Sequence, residues 1–149
     1  MVRDREIKLT RVIIASDHAG FKLKEEIKKF LIKKGKKILD LGTKNTNQVD
    51  YPDYAHHLSR KIEKDENQFG ILICGSGTGM AMTANKHKNI RAALCYDTKS
   101  TKLSRLHNNA NVMTLGSRLI KKNVALKCVS TFLKTNFDGG RHSRRVKKI

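Results

Sequence analysis

The sequence predicts an α/β fold, a three-layer α/β/α Rossmann-like domain with a five-stranded parallel sheet. Five short segments of apolar, β-leaning residues alternate with segments whose apolar residues recur at helical spacing. The strand segments are apolar throughout rather than at every second position, which is typical of parallel strands covered on both faces. At 149 residues the chain is expected to form a single domain.

The predicted strands and helices follow one another in order. The strands are RVIIAS (11–16), KKILDLG (36–42), FGILIC (69–74), IRAALCY (90–96) and NVMTLG (111–116). Leu23, Ile27 and Leu31 mark a first helix that stops near Gly35. Further helices are predicted around 54–62, over MAMTANKH, over TKSTKLSRLH and over 120–135. The order of the strands within the sheet does not follow from these residues.

The composition limits the classes of partner. The chain has 32 Lys and Arg against 13 Asp and Glu, a formal net charge of +19, which favours anionic partners. Only 5% of the residues are aromatic, too few to suggest stacking on bases, so no nucleic-acid partner is predicted. The longest apolar runs are strand-sized, so no membrane-spanning helix is expected.

The three cysteines favour free thiols. Their odd number, in a chain with no apparent secretory segment, predicts a reducing compartment and a cytoplasmic protein. Cys74, Cys95 and Cys128 lack the CxxC spacing of zinc sites, so no metal is predicted.

The fold class predicts where a ligand binds. In open parallel sheets, ligands lie beyond the carboxyl ends of the strands. The polar residues expected there are Asp17 and His18 after the first strand, Cys74 and the glycine loop after the third, Asp97 after the fourth and Arg118 after the fifth. This set could converge on a small anionic ligand.

The glycine-rich stretch GSGTGMAM, which begins at Gly75, allows three interpretations. It lacks the lysine and the glycine spacing of a P-loop. It matches the dinucleotide fingerprint only in part, because Met80 replaces the third glycine, although Asp97 lies near the expected distance for a ribose-binding acid. The third interpretation pairs a thiolate at Cys74 with loop amides that stabilise an oxyanion.

Each candidate also has a structural interpretation. Cys74 taken alone could equally be a buried structural cysteine, and for Cys95 and Cys128 that interpretation is strongly favoured. Asp17 could be a helix N-cap. His107 and Asn108 lie where a helix gives way to a strand and could be ordinary turn residues. The last basic segment could be a frayed tail. If it is helical, its two arginines four residues apart could bind a phosphate together.

These stretches together resemble one family, the type B ribose-5-phosphate isomerases with the related allose- and galactose-6-phosphate isomerases. The resemblance is carried by SDHAGFKLK, DLGT, DYPDYA, GILICGSGTGMAMTANK, IRAALC, LSRLHNNANVMTLGSR and GGRHSRR. They cover nearly the whole chain from Arg11 onward. Residues 1–10 have no family counterpart and are a candidate for a disordered N-terminal extension. Residues 137–149 are a basic tail that would complete a phosphate site.

The resemblance implies an isomerase without metal or organic cofactor, acting on ribose 5-phosphate and ribulose 5-phosphate through a cis-enediolate. By position, Cys74 would be the base that moves the proton between C1 and C2, His107 the acid that opens the sugar ring, and Asp17 its assistant. The implied substrate-binding residues are Asp17, His18, Tyr51, Gly75, Ser76, Gly77, Thr78, Gly79, Asn108, Arg118, Arg141 and Arg145. A carboxylate branch of the family places its acid where this chain has Met80, so the chain resembles the cysteine branch.

The resemblance also implies partners. The expected partners are a small sugar phosphate and further copies of the chain, in a homodimer or homotetramer whose active sites are shared between subunits. The nearest alternative activity is isomerisation of allose or galactose 6-phosphate. A more distant alternative is a phosphosugar or nucleotide binding module without catalysis.

Overall fold

Five parallel strands form one sheet in the order β2-β1-β3-β5-β4. A computed structural model describes residues 11–149, so the extension considered for residues 1–10 lies outside the described residues. The strands are β1 (Val12–Ser16), β2 (Ile38–Asp40), β3 (Phe69–Cys74), β4 (Ala92–Leu94) and β5 (Val112–Gly116). The helices are α1 (Phe21–Lys33), α2 (Tyr51–Lys64), α3 (Thr78–Ala84), α4 (Thr98–Asn108), α5 (Lys122–Lys134) and α6 (Arg141–Val146).

Two apolar clusters, one on each face of the sheet, confirm the predicted three layers. Successive side chains of β1 point to opposite faces, so Ile13 and Ile14 belong to different clusters. Ile14 packs in the cluster that contains Ile27 of α1 and Phe132 of α5. Ile13 packs in the cluster that contains Leu58 of α2. Residues 12–16 and 112–116 are buried throughout, as expected for central parallel strands.

The two edge strands are shorter and less buried than the sequence predicts. Strands β2 and β4 have three residues each, whereas the sequence predicts seven for each. Each pairs with a single neighbour over three residues, and its other edge has no strand partner among residues 11–149. The prediction that every strand is covered on both faces is therefore wrong for β2 and β4, because an edge strand is covered less completely than a central one.

The turn after β1 corrects the suggested capping role of Asp17. Helix α1 begins at Phe21, and its N-cap residue is Gly20. The Asp17 carboxylate accepts a hydrogen bond of 3.0 Å from the Gly20 amide, so it closes the turn that precedes the helix.

The direction of α4 decides how the candidate site is divided. This helix carries the chain from the carboxyl end of β4 to the amino end of β5, and the two strands are parallel. Its 11 residues span about 16 Å. Asp97 therefore lies at the carboxyl ends of the strands, whereas His107 lies at their amino ends. Within residues 11–149, no helix has the length and apolar character needed to cross a membrane.

Candidate active site

The carboxyl ends of β1, β3 and β5 lie side by side and are joined by backbone hydrogen bonds. The Asp17 amide donates to the carbonyl of Ile73 at 3.2 Å. The Ser117 amide donates to the carbonyl of Cys74 at 2.8 Å, and the Arg118 amide donates to that of Gly75 at 3.0 Å. The predicted convergence of these strand ends is confirmed by this geometry.

Cys74 ends β3 and points toward the start of α3. It is 4% exposed, and its Sγ accepts a hydrogen bond of 3.2 Å from the Gly77 amide. Gly77 is the N-cap residue of α3 and has φ +78°, a conformation that favours glycine. An amide directed at the sulfur stabilises negative charge there, so the geometry suits a thiolate as well as a buried structural cysteine.

The other two cysteines have surroundings that oppose ionisation. Burial raises the pKa of Cys95 to about 11. Burial also raises the pKa of Cys128. Burial thus opposes ionisation of both thiols, which agrees with the structural role predicted for both.

Two long side chains lie against the glycine loop. A Cβ atom on Gly79 would be 2.6 Å from the ring of Tyr51, and one on Gly75 would be 3.0 Å from Nη1 of Arg118. The absence of Cβ atoms therefore lets an aromatic ring and a guanidinium approach the loop backbone. Both side chains are exposed to solvent, as a binding site open to a substrate requires.

His18 is held by the loop that precedes α2. Its Nδ1 accepts a hydrogen bond of 3.2 Å from the Val49 amide, and its Nε2 has no hydrogen-bond partner among the described residues. The hydroxyl of Ser117 donates to the carbonyl of Ala19 at 2.8 Å and fixes this turn against the loop after β5. One chain thus brings together Asp17, His18, Tyr51, Cys74, Gly75, Ser76, Gly77, Thr78, Gly79 and Arg118.

A second group of predicted site residues surrounds the carboxyl end of α4. The His107 ring stacks on that of His142, with 4.3 Å between centroids and 15° between planes. A cavity of about 390 Å³ is lined by His107, Asn108, His142, Arg145, Val146 and Ile149. Desolvation lowers the pKa of His142, and the neighbouring charges of His107, Arg141 and Arg145 lower it further.

The basic C-terminal tail contains a helix, as its interpretation as a phosphate-binding segment requires. Residues 141–146 form α6, so Arg141 and Arg145 lie one helical turn apart on the same face. Both guanidiniums belong to exposed residues. The alternative of an unstructured basic tail is wrong for this segment.

Within one chain, the two groups do not meet. Cys74 lies at the carboxyl ends of the strands, whereas His107, Asn108 and the α6 arginines lie near the amino ends. A site that uses both groups therefore needs a second copy of the chain.

Sequence reasoning missed two neighbours of His107. His142 stacks on it, and the side chain of Asp138 lies near both imidazoles. These residues are 31 or more positions further along the chain, so spacing carried no signal. Asp97, considered as a ribose-binding acid, instead caps α4 by accepting a hydrogen bond of 2.7 Å from the Ser100 amide.

Comparisons with known proteins agree with this geometry. The family model described as Ribose/Galactose Isomerase matches residues 12–149. Ribose-5-phosphate isomerase B of Escherichia coli is 39% identical over 141 residues, covering 95% of each chain. A ribose 5-phosphate isomerase from Thermotoga maritima has a solved structure with a TM-score of 0.90 at 50% identity, covering 93% of this chain and 95% of that one.

A further solved structure contains a ligand. It is that of ribose-5-phosphate isomerase B from Mycoplasma genitalium with bound ribulose-5-phosphate, at 44% identity and a TM-score of 0.91. The match covers 94% of this chain and 93% of that chain. With the family model spanning all but the first eleven residues, the chain described here belongs to the ribose/galactose isomerase family.

Proposed function

We propose that this protein is a ribose-5-phosphate isomerase that interconverts ribose 5-phosphate and ribulose 5-phosphate, a step of the non-oxidative pentose phosphate pathway. The observation that carries the proposal is the Cys74 thiol beside the amides of the glycine loop, at the strand ends where such sheets bind ligands. Relatives named ribose-5-phosphate isomerase B, one of them with bound ribulose-5-phosphate, support this substrate.

In the proposed mechanism Cys74 acts as the base. Its thiolate removes a proton from one of the two carbons C1 and C2 and returns it to the other. The intermediate is a cis-enediolate, whose oxygens gain negative charge as the proton leaves. Loop amides of Gly75, Ser76, Gly77, Thr78 and Gly79 are the candidate donors to these oxygens, and a single such donor is typically worth about 10² to 10³ in rate.

The phosphate is assigned to His18 and Arg118 near the loop and to Arg141 and Arg145 of a second copy of the chain. His18 and Arg118 lie, like Cys74, at the carboxyl ends of the strands, and the Arg118 guanidinium lies beside the backbone of Gly75. Phosphate binding far from the reacting carbons orients the sugar without taking part in the proton transfer. Tyr51, whose ring lies over Gly79, lines the sugar pocket.

A second copy of the chain completes the site in this proposal. His107 would act as the acid that opens the sugar ring, with Asp17 of the first chain assisting. Asn108, Arg141 and Arg145 would come from the same copy as His107. The chemistry as written uses no metal or organic cofactor.

Exposed apolar residues near the glycine loop support this assembly into a homodimer or homotetramer. Met82 on α3, Leu94 at the end of β4, Tyr96 just beyond it and Leu119 beyond β5 are between 39% and 78% exposed. Apolar side chains concentrated around a polar site are typical of a surface that a partner covers.

Isomerisation of a six-carbon sugar phosphate is the second candidate. The description of the matching family includes galactose as well as ribose. Turnover of ribose 5-phosphate, allose 6-phosphate and galactose 6-phosphate under identical conditions separates these activities. The cytoplasmic location stays a prediction.

The test of the mechanism compares the purified protein with Cys74→Ala, with a chelator present. We expect isomerisation of ribose 5-phosphate by the first and none by the second, while the variant still binds the substrate in a calorimetric titration. Arg118→Ala is the matched control, which should chiefly weaken binding.

Other outcomes of this experiment have definite meanings. Full activity in Cys74→Ala would assign the base to another residue. Substrate binding by both proteins with no turnover of any of the three sugar phosphates would favour a binding module without catalysis.

A further inference from the structure

We infer that His107, Asp138 and His142 form a binding site for Zn²⁺ and that zinc bound there inhibits the isomerase. The inhibitory part of this inference rests on the function proposed above, in which His107 opens the sugar ring. The binding part rests on the geometry of the three side chains alone.

The three residues come together through the packing of the chain after α5. The Asp138 amide donates to the carbonyl of Leu106 at 3.1 Å, which ties this segment to the last turn of α4. Gly139 and Gly140, with φ of +66° and +53°, then turn the chain into α6. His142, near the start of α6, is thereby stacked on His107.

The donor atoms are already close to the spacing that a metal requires. One potential ligand atom from each of the three residues lies within 4.8 Å of the other two. Around a tetrahedral Zn²⁺, with bonds of about 2.1 Å, ligand atoms are about 3.4 Å apart. The ligand atoms must therefore approach by at most about 1.4 Å, and the stacked imidazoles must rotate out of their parallel arrangement. Asp138 is exposed, so its carboxylate can move toward the metal position.

The chemistry of the set suits zinc. Two imidazole nitrogens and one carboxylate oxygen are ligands that Zn²⁺ takes in proteins, with a fourth position left for water. Mg²⁺ and Ca²⁺ favour sites made of oxygen ligands, so they fit this set poorly.

The surrounding charges limit the affinity without excluding the metal. Arg141 and Arg145 flank His142 in α6 and repel a cation. The Asp138 carboxylate supplies the one negative charge of the trio, so it is the ligand whose removal should cost most in this basic region.

Zinc at this position acts directly on the proposed mechanism. An imidazole nitrogen that coordinates a metal cannot carry the proton that ring opening needs. Coordination also ties His107 to Asp138 and His142 of its own chain, so that its imidazole cannot turn toward the sugar.

The binding experiment titrates ZnCl₂ into metal-free protein and follows the heat. We expect one preferred site per chain, weakened at least about tenfold in His142→Ala and in Asp138→Asn. Glu26→Gln is the control for the charge change, because Glu26 lies on α1 and has no role in the site. Unchanged binding in His142→Ala and Asp138→Asn would overturn the inference.

Two further variants exclude other ligands. His56 and His87 form a second imidazole pair, with 2.6 Å between Nδ1 of His56 and Nε2 of His87. We expect His87→Gln and Cys74→Ala to keep the preferred zinc site. Loss of the site in either variant would assign the metal elsewhere and overturn the inference.

The activity experiment measures isomerisation of ribose 5-phosphate at increasing free Zn²⁺. We expect inhibition of the unmodified protein, a zinc requirement at least about tenfold higher for Asp138→Asn, and recovery on adding chelator. Zinc binding without inhibition would overturn the inhibitory role. A protein with no isomerase activity at all would refute the proposed function, and with it the inhibitory role, while the calorimetric titration would still report on the metal site.

Discussion

At the scale of single residues, Gly20 and Gly35 are glycines for different physical reasons. Gly20 has φ −91°, which any residue can adopt. A Cβ atom there would collide with the backbone of Ile73, at 2.7 Å from its carbonyl carbon. Gly35 has φ +75°, and a Cβ atom on it would have no other atom within 4 Å, so its requirement is conformational.

These two reasons predict different costs. Gly20→Ala should lower the free energy of unfolding by about 3 kcal/mol, because backbone cannot yield to the new methyl group as a flexible side chain can. Gly35→Ala should cost about 1 kcal/mol, the strain of a left-handed alanine. Urea unfolding of both variants checks this, and equal losses would contradict the explanation by close packing.

The same pair should also differ in activity. Gly20 ends the turn that Asp17 closes, two residues after His18, so a displaced turn moves proposed substrate-binding residues. Gly35 lies beyond the far end of α1 from that turn, and its variant serves as the control, with turnover close to that of the unmodified protein.

Single residues also show how far sequence reasoning reaches toward a site. Asp17, Cys74 and Arg118 follow or end buried strands, so a general rule about strand ends was enough to predict that they meet. No such rule could find the stack of His142 on His107, because it depends on how the chain folds back after α5. The catalytic and binding roles of the named residues stay predictions.

At the scale of elements, an ion-pair network joins α1 to β2. The Asp40 carboxylate accepts hydrogen bonds from Lys24, which is fully buried, and from the amide of Gly42. Lys28 lies 2.7 Å from the same carboxylate. Burial alone would raise the pKa of Asp40, but these three partners outweigh it and lower that pKa.

This lowered pKa predicts a pH-dependent contribution to stability. The ionised carboxylate stabilises the fold above the pKa of the unfolded chain, and the contribution is lost as pH falls through the lower pKa of the folded state. At pH 7, Asp40→Asn should reduce the free energy of unfolding by about 2 kcal/mol, since it leaves Lys24 without its main partner. Denaturant unfolding at several pH values should show the difference between the two proteins shrink as the pH falls below the ordinary pKa of an aspartate. A constant difference would contradict this role for the charge.

Elements also differ in how well the sequence predicts them. Strands β1, β3 and β5 lie within one residue of the predicted ranges, because buried central strands are marked by uninterrupted apolar runs. The predicted ranges of the edge strands β2 and β4 are too long, because neighbouring residues such as Lys37 and Tyr96 lie outside the ladder. Strand order depends on packing between segments that are distant in the sequence, so local sequence patterns do not predict it.

At the scale of the whole molecule, the division of the site predicts complementation between inactive chains. Cys74→Ala and His107→Ala should each be inactive as homo-oligomers. In a mixed dimer, one of the two sites combines an intact Cys74 from one chain with an intact His107 from the other. Random assembly therefore predicts about a quarter of the unmodified activity after the two variants are denatured together and refolded.

The control for this prediction is each variant refolded alone, which should remain inactive. Recovery of activity on co-refolding would be incompatible with a site contained in one chain. No recovery, with mixed dimers shown to form by mass spectrometry, would contradict a site shared between subunits.

The strand order has a consequence for the protein as it is synthesised. Among residues 11–149, strand β4 pairs only with β5, and β5 lies between β4 and β3, so β4 has no strand partner there until residues 112–116 have emerged from the ribosome. The apolar segment IRAALC therefore stays unpaired until β5, which is translated after it, is available. The half of the sheet that holds β1, β2 and β3 can form first, and the second half closes onto it in one late step.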